Sequence, residues 1–346
     1  MSLAQVAIHA AERASLPDAV TRLGVGWLVG RTRRQMAIAP KIDDEAVFAA
    51  DMAAHPIAEN TQAANDQHYE LPASFFRAVL GPRLKYSSAL YAGADDTLAE
   101  AEVRALAETC AHADLADGQR ILELGCGWGS LTLWMAERYP GATITAVSNA
   151  HSQRREIEAM ARERGLTNVQ VITADMNDFR PDLAGGGFDR IVSVEMFEHM
   201  ANWRDLLQRA RGWLAPEGRL FLHVFTHASR PYRFDAGDAD DWIGQHFFTG
   251  GIMPSHGLIR RFADLFEVEA EWRWSGEHYR RTAEAWLANM DRNARAVDAA
   301  LAGAYGPDAA LWKRRWRLFF LATAGLFGDS QGQVWGVSHY RLKAAG

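Results

Sequence analysis

The segment 120–130 constrains the fold of this 346-residue chain more than any other segment. A β-type run, 120–124, leads directly into a glycine-rich turn, and a helical pattern starts at Ser130. This order is typical of the nucleotide crevice of an α/β sheet, because glycine lets the backbone turn tightly and approach a ligand closely. A plain strand–helix connector is the alternative interpretation. The glycines of the turn are Gly125, Gly127 and Gly129.

The spacing of these glycines indicates the kind of ligand. They form G-x-G-x-G, and Glu123 stands two positions before the first of them. The dinucleotide fingerprint is instead G-x-G-x-x-G, in which a helix N-terminus receives a pyrophosphate. The shorter spacing is found where S-adenosylmethionine (SAM), which has no pyrophosphate, lies over the loop. We therefore predict a SAM site here.

Strand and helix patterns alternate from residue 120 onward. Strands alternating with helices predict an α/β fold with a mostly parallel sheet. The first 60 residues are expected to be helical, and 226–256 to be an aromatic loop. The strand candidates are 120–124, 143–148, 169–174, 188–194, 218–225, 268–275 and 335–343. Helical patterns cover 130–138, 151–164, 201–214 and 258–266, and a helical insertion covers 279–328.

Composition excludes several classes of protein. The chain is 48% hydrophobic and 23% charged, which suffices for a large core, and its formal net charge of -6 argues against a nucleic-acid binder. No apolar run approaches the ~20 residues of a membrane span, and the N-terminus lacks the pattern of a signal peptide. The two cysteines form neither a disulfide framework nor a metal-ligand spacing. We expect a cytoplasmic enzyme that holds no metal.

A cluster of ionisable residues follows the fourth strand candidate. The strand 188–194 is followed by Glu195, Glu198 and His199. Ligands of open α/β sheets lie beyond the carboxyl ends of strands, and in a helix these three side chains would share one face. Two carboxylates and an imidazole there could hold a cation and accept a proton. An acidic helix N-terminus is one alternative, and a metal site without a second ligand cluster is the other.

Four separated segments carry a family resemblance. In order along the chain they resemble the coclaurine N-methyltransferase family, plant enzymes that use SAM to methylate benzylisoquinoline amines. That family is itself similar to the cyclopropane fatty-acid synthases, which use SAM on lipid double bonds. The resemblance implies a Rossmann-like class I methyltransferase with a mostly parallel seven-stranded sheet, an N-terminal helical cap and helical insertions. The segments are Leu124–Ser130, Ser193–Met200, Phe247–Pro254 and His278–Tyr279.

The resemblance also implies the residues that contact the cofactor. Tyr86 and Ser87 would contact the methionine end of SAM, and the three glycines, with Glu123 before them, would lie beneath it. The family lacks the acidic residue that many methyltransferases place after the second strand. The expected ribose and adenine contacts are Ser148, Asn149, Gln153, Asp175 and Met176.

The same comparison implies a set of residues around the substrate. Glu198 and His199 match residues that hold and deprotonate the amine, with His199 as the expected base and Glu198 orienting it or accepting the proton directly. Glu195 and Glu70 would add negative charge that attracts an ammonium group. Aromatic side chains could wall the site by stacking and cation–π contact, or else pack in the core of the insertion. They are Trp242, Phe247, Phe248, Tyr279 and Trp286.

One position distinguishes an amine acceptor from a lipid acceptor. Cyclopropane synthases are similar in having a cysteine where this chain has Ser88, and that cysteine helps to bind bicarbonate. The other members of the bicarbonate set map to Glu198, His223 and Tyr279, which are present. Glu195 would repel bicarbonate and attract an ammonium. We therefore expect methylation of a small amine, an aromatic alkylamine or an isoquinoline-type alkaloid, with S-adenosyl-L-homocysteine as by-product.

Two alternatives stay open at this point. One is a lipid enzyme of the cyclopropane synthase or fatty-acid methyltransferase type. The other is a non-catalytic SAM-binding module, which is disfavoured because Glu198, His199 and Tyr279 are all present beside the cofactor site. We expect no nucleic-acid partner and no stable membrane insertion, with a homodimer as one option for assembly.

The expected organisation is a helical cap followed by a catalytic domain. The cap, 1–115, would contribute to the active site, and the methyltransferase domain would cover 116–346. Two insertions, at about 226–257 and 279–328, would bind the substrate. The sequence does not identify the amine.

Overall fold

The fold is described from a computed structural model. It covers residues 5, 8, 11–14, 16–38, 43–59, 71–238 and 240–346. The predicted substrate residue Glu70 lies outside these described residues.

A seven-stranded sheet forms the centre of the molecule, with strand order β3-β2-β1-β4-β5-β9-β8. The first five strands in that order are parallel, whereas β9 runs antiparallel to both β5 and β8. The predicted class I methyltransferase fold with a mostly parallel sheet is therefore confirmed. The strands are β1 (Arg120–Leu124), β2 (Thr143–Ser148), β3 (Val169–Thr173), β4 (Phe188–Val194), β5 (Leu214–His227), β6 (Tyr232–Arg233), β7 (Ile252–Met253), β8 (Phe266–Ser275) and β9 (Trp335–Ala344).

Helices cover the sheet and add a layer above its carboxyl edge. Within the described ranges, every helix is too short or too polar to cross a membrane. The helices are α1 (Asp18–Met36), α2 (Asp44–Met52), α3 (Ala73–Val79), α4 (Leu98–His112), α5 (Ser130–Arg138), α6 (His151–Glu163), α7 (Trp203–Trp213), α8 (Trp242–His246), α9 (Gly276–Arg292), α10 (Ala294–Tyr305) and α11 (Ala309–Gly328).

The central strands form because their side chains are apolar on both faces. Ile121, Leu122 and Leu124 of β1 are fully buried, as expected for a parallel strand covered by helices on both sides. The chain goes from β1 outward to β2 and β3 and then returns to β4 on the other side. The turns after β1 and β4 therefore flank the point where the strand order reverses, which is where ligands bind in such sheets.

The predicted helix 258–266 is wrong. A short 3-10 turn, Leu258–Phe262, stands there, and β8 already begins at Phe266. Leu258, Ile259 and Phe262 are buried, and one turn suffices to bury them. From Phe266 onward the chain pairs with β9, beginning with Phe266 opposite Ala344. The hydrophobic spacing is compatible with a helix, but the chain turns at 263–265 and its last predicted residue, Phe266, pairs in β8.

Aromatic side chains from α9, α11 and the segment 71–90 form one continuous core above the sheet. Phe76 lies 4.7 Å from Trp128 of the glycine turn, measured between ring centroids. Trp286 of α9 lies 5.5 Å from Tyr86. This core holds the segment around Tyr86 against the turn after β1, and so positions one wall of the site.

Candidate functional site

A cleft of about 1240 Å³, counting its open mouth, lies at the carboxyl edge of the parallel strands. Its wall brings together the ends of β1, β2, β3 and β4 with the segment 84–87. Nearly all the residues predicted to contact the cofactor line this cleft. They are Tyr86, Ser87, Glu123, Gly125, Gly127, Ser148, Asn149, Gln153, Asp175 and Met176.

The three glycines of the turn have different roles. Gly127 has φ +52°, and a Cβ built there meets nothing within 4 Å, so it faces open cleft. A Cβ at Gly125 would lie 2.6 Å from Met196 Cβ. Gly129 precedes α5 with φ +81° and does not line the cleft, and a Cβ there would lie 2.6 Å from Ile157 Cγ1. Gly129 therefore serves helix packing, and its predicted place beneath the cofactor is corrected.

Glu123 is a buried carboxyl group at the floor of the cleft. It is 2% exposed, and the Thr132 hydroxyl donates to its Oε2 at 2.5 Å. Burial raises the pKa of Glu123 to about 8. At neutral pH it is therefore largely protonated and can donate a hydrogen bond as well as accept one.

Buried polar atoms around the cleft lack hydrogen-bond partners among the described residues. They are Gln153 Nε2, Trp128 Nε1 and Ser130 Oγ, and all three residues line the cleft. Gln153 is held in place because its Oε1 accepts from the Ser148 hydroxyl at 2.5 Å. Buried donors without partners are costly, so they fit a ligand rich in nitrogen and oxygen atoms such as SAM.

Glu195 is the centre of a second group of residues in the same cleft. It follows β4 with φ +48°, a conformation rare for a residue with a side chain and common at functional sites. Its carboxylate accepts from Ser88 N at 2.9 Å and from the Tyr279 hydroxyl at 2.7 Å, and His223 Nε2 lies 3.2 Å away. Burial raises the pKa of Glu195, and the charge of Lys85 opposes that shift.

These contacts correct the set of residues assigned from the lipid enzymes. That set was expected to combine Ser88, His223 and Tyr279 with Glu198, but the carboxylate that all three contact is Glu195. The Ser88 hydroxyl itself donates to Ala89 O at 3.1 Å. Since Glu195 already occupies the space between these residues, the arrangement favours a cation as the next partner over an anion.

Glu198 lies in the core below the cleft. It is fully buried, its Oε1 accepts from Phe225 N at 2.6 Å, and its Oε2 has no partner among the described residues. Burial and then the charge of Glu195 raise the pKa of Glu198 well above its ordinary value. The expected helical face shared with Glu195 and His199 does not form, because the segment is a single 3-10 turn, Phe197–His199.

His199 lines the cleft together with Glu195. Its ring stacks on Phe248 at 4.8 Å with the planes 10° apart, which restricts its orientation. Phe248 therefore lies beside His199 at the edge of the cleft.

Two tryptophans that were predicted to wall the substrate site lie away from the cleft. Trp242 donates from Nε1 to Glu12 Oε1 at 3.0 Å and lines a separate cavity next to α1. Trp286 is 1% exposed and packs behind Tyr86 and Tyr279. Both tryptophans therefore have the alternative role of core packing, because the two insertions need large side chains to fill their interiors.

Lys85 is a cleft residue that the sequence reasoning did not find. Its side chain is 3% exposed, and Nζ donates to Ser87 Oγ at 2.5 Å and to Ser88 O at 2.7 Å. Burial lowers the pKa of Lys85 to about 8. The available signal was a single lysine within the apolar and small residues of Leu84–Tyr91. Among the residues that the structure describes, no three His, Cys, Asp or Glu side chains could together hold a metal ion.

Known proteins resemble this chain over most of its length. The model of the family described as "Mycolic acid cyclopropane synthetase" matches residues 58–337. A (S)-coclaurine N-methyltransferase of Thalictrum flavum subsp. glaucum is 36% identical over 83% of this chain and 80% of its own length. A pavine N-methyltransferase of the same plant is 31% identical, covering 86% and 83%. A crystal structure of coclaurine N-methyltransferase bound to N-methylheliamine and SAH superposes with a TM-score of 0.91 and 31% identity, covering 97% of this chain and 98% of that one.

The sheet, the cleft and these similarities define a SAM-dependent methyltransferase of class I fold. SAM is therefore its cofactor. The chain belongs to the mycolic acid cyclopropane synthetase family, and the N-methyltransferases named above are among its relatives.

Proposed function

We propose that this enzyme methylates the nitrogen of a small amine, an aromatic alkylamine or an isoquinoline-type alkaloid. The observation that carries the proposal is the pair Glu195 and His199, which line the cofactor cleft together. A carboxylate attracts an ammonium group, an imidazole can accept its proton, and Phe248 offers a flat apolar wall beside them. The names of the relatives, which include coclaurine and pavine N-methyltransferases, support the same acceptor chemistry.

When bound, SAM would supply a methyl group on a positively charged sulfonium, and a nitrogen lone pair could attack that methyl in line while S-adenosyl-L-homocysteine leaves. An aliphatic amine is mostly protonated at neutral pH and has no free lone pair, so a base must act first. His199 is the proposed base: it takes the proton from the ammonium nitrogen onto its ring, which the stack on Phe248 holds in place. The remaining work of the protein is to align acceptor and donor and exclude water.

The two carboxyl groups have separate proposed roles. Glu195 supplies the negative charge that draws the ammonium into the cleft. Glu198, whose Oε2 has no partner among the described residues, is proposed to orient the His199 ring or, in its ionised form, to accept the proton directly. Glu70 is proposed to add a further negative charge near the amine. Apolar walls would also lower the pKa of the amine by desolvation.

The cofactor contacts predicted from the sequence form the other part of the proposal. Tyr86 and Ser87 would hold the methionine end of SAM, and Gly125 and Gly127 would lie beneath it. Glu123, Ser148, Asn149, Gln153, Asp175 and Met176 would complete the cofactor wall.

A panel of acceptors tests the proposed function. Purified enzyme with methyl-labelled SAM would be offered aromatic alkylamines, isoquinolines and unsaturated phospholipid vesicles, with label transfer and product mass as readouts. We expect labelled N-methyl amines and unlabelled lipid. Cyclopropane lipid as the main product would support the lipid alternative, and SAM binding without turnover on any acceptor would support a non-catalytic module.

A cap over 1–115 would contribute to the active site of a catalytic domain over 116–346, whose two insertions would bind the amine. The enzyme would be cytoplasmic, as cell fractionation would check. A homodimer is the proposed assembly, and light scattering at assay concentration would test it.

A further inference from the structure

Four consecutive contacts lead from Glu195 in the cleft to the surface. His223 Nε2 lies 3.2 Å from Glu195 Oε1, and His223 Nδ1 lies 2.8 Å from His339 Nε2. His339 Nδ1 lies 2.8 Å from His112 Nδ1, and His112 Nε2 lies 3.0 Å from Glu108 Oε1. We refer to His223, His339 and His112 as the histidine ladder. Neither His339 nor His112 takes part in the proposed methyl transfer.

The histidine ladder is built into the central sheet and the end of α4, and is not a chance grouping of surface side chains. His223 of β5 and His339 of β9 are directly opposed in the sheet, and both are fully buried. His112 ends α4 and stacks on Trp272 at 3.7 Å with the planes 7° apart. The side chain of Glu108 is 44% exposed, against 10% for His112. The row therefore connects the buried carboxyl group of Glu195 with the exposed side chain of Glu108 through ordered rings.

The hydrogen atoms along this row depend on one another. A neutral imidazole has one N–H and one lone pair, and an ionised carboxylate only accepts. If Glu108 accepts from His112 Nε2 and all rings are neutral, His112 Nδ1 must accept from His339. His339 Nε2 must then accept from His223 Nδ1. His223 Nε2 is left with a lone pair facing Glu195, which can complete the row only as a carboxylic acid.

A second arrangement contains the same number of protons. Glu195 gives its proton to His223 Nε2, and His223 passes the proton of Nδ1 to His339. His339 passes the proton of its own Nδ1 to His112, which becomes an imidazolium beside Glu108. Every contact is again a donor facing an acceptor, and Glu195 is now a carboxylate. One positive charge has moved from the site to the surface end.

We propose that the histidine ladder is a proton relay through which an arriving ammonium converts Glu195 to its anion, the displaced proton being held on His112 beside Glu108. The proposal rests on the proposed amine substrate. No proton enters or leaves the row, and the relay reverses when the cationic product departs. His339, His112 and Glu108 are then positioning residues that act on the substrate through Glu195.

The directions of the pKa shifts agree with this resting state. Burial raises the pKa of Glu195 and lowers the pKa of His112, and both directions favour the arrangement with the proton on Glu195. Burial lowers the pKa of His223 and of His339 well below the ordinary value, so these two rings pass a proton without retaining charge.

Charged and titratable groups from all neighbouring elements face the row. At the cleft end Glu195 is faced by Lys85, Glu198, His199 and Tyr279, and the charge of Lys85 also acts on His223 and His339. At the surface end His112 is faced by Glu108, which favours the imidazolium, and by Arg341, which opposes it. Glu108 is therefore the group whose removal should disturb the relay with the least change to the fold.

The first test is Glu108→Gln in the full-length enzyme. Without the carboxylate the imidazolium of His112 is less stable, so the proton stays on Glu195 and the ammonium binds less well. We expect KM for the amine to rise about fivefold at pH 7, the scale of a partly exposed ion pair, with kcat and SAM affinity unchanged. The deficit should narrow as the pH rises, because Glu195 then loses its proton to solvent without help from the row. Glu163→Gln, which removes an exposed carboxylate from α6, should change none of these values.

The second test separates the relay from a general charge effect. His112→Phe keeps a ring against Trp272 but removes both nitrogens, so it should raise KM at least as much as Glu108→Gln. Adding Glu108→Gln to His112→Phe should then cause no further change, because both act in one row. Additive effects in the double variant, or superimposable pH profiles of KM for wild type and Glu108→Gln, would overturn the relay.

Nuclear magnetic resonance with ¹⁵N-labelled histidine gives a readout that a merely structural role would not move. At pH 7, adding an amine that the enzyme methylates should convert one histidine ring of the wild type to the imidazolium form. The His112→Phe variant should show no such change, because it lacks that ring. An active enzyme in which no ring changes would refute the relay while leaving the methylation intact. Failure of the proposed function would instead show itself as no amine turnover in any variant.

Discussion

The two halves of the cleft are built in different ways. In the cofactor half, most of the proposed contacts come from short segments at the carboxyl ends of β1, β2 and β3, and Tyr86 and Ser87 are added from the segment 84–87. In the acceptor half, Glu195 is held by Ser88, His223 and Tyr279, which come from segments 107, 28 and 84 residues away from it. The first half depends on backbone turns, whereas the second depends on burying charged groups where partners from distant segments meet.

This difference predicts how the halves respond to change. A local turn fails when a side chain blocks ligand space, and the rest of the site is unaffected. A buried charge network responds to the protonation of each member, so its variants should show pH-dependent defects.

Gly127→Val should have the largest effect. With φ +52° and open cleft in front of its Cβ position, a branched side chain would be strained and would occupy cofactor space. We expect SAM affinity to fall by about 100-fold or more, measured by calorimetry. Gly165→Val is the matched control, because Gly165 also has positive φ and an open Cβ position but lies outside the cleft. Unchanged SAM affinity in Gly127→Val would remove the turn from the cofactor site.

His199→Ala should have the next largest effect, restricted to the acceptor half. Turnover at pH 7 should fall by ~10²-fold or more, the scale for loss of a general base, with SAM affinity little changed. The wild-type rate should rise with pH as amine and base lose protons, and the deficit of the variant should narrow at pH 10, where free amine is abundant. His151→Ala, at the exposed start of α6, should behave as wild type. An equal deficit at pH 7 and pH 10 would make Glu198 the better candidate for the base, and Glu198→Ala would then carry the pH-dependent loss.

Glu195→Gln should weaken amine binding without removing the chemistry. The amide oxygen can still accept from Ser88 N, and the amide NH₂ can donate to the Tyr279 hydroxyl oxygen in place of the second contact, but the side chain has no charge to offer an ammonium. We expect KM for the amine to rise about tenfold at pH 8 with kcat retained, since one lost charge partner is worth about one pKa unit of interaction. Glu195→Asp keeps the charge and should recover part of the loss. A fall in kcat with unchanged KM would instead place Glu195 in the reaction itself.

Ser88→Cys should have the smallest effect. The Ser88 hydroxyl donates to Ala89 O, and only its backbone N–H contacts Glu195, so a thiol leaves that contact in place. We expect amine turnover within about twofold of wild type, because the thiol weakens only the local bond to Ala89 O and leaves the contact with Glu195 intact. Mass spectrometry of unsaturated phospholipid should find no cyclopropane product in either protein. Efficient cyclopropanation by the wild type would contradict the amine assignment.

The accuracy of the sequence predictions follows the same division. The strands β1, β2 and β4 and the helix α5 were predicted with the observed bounds, because buried runs and glycine turns are local signals. Errors appear where partners are distant. The burial of Glu198 depends on its bond to Phe225 N, and Lys85 is identified only once the segment around it is seen to be enclosed. The misplacement of Trp242 has the same origin, since only the fold brings Glu12 to its indole nitrogen.

The place of β9 in the sheet has a consequence for the order in which the enzyme becomes active. This strand follows β5 and β8 in the sequence but lies between them, and it carries His339. A chain emerging from the ribosome can form β1 to β4 and the glycine turn while this strand is still unmade. We therefore expect a growing chain to acquire the ability to bind SAM before the charge of Glu195 can be controlled. Methyl transfer would begin only after the sheet closes around β9.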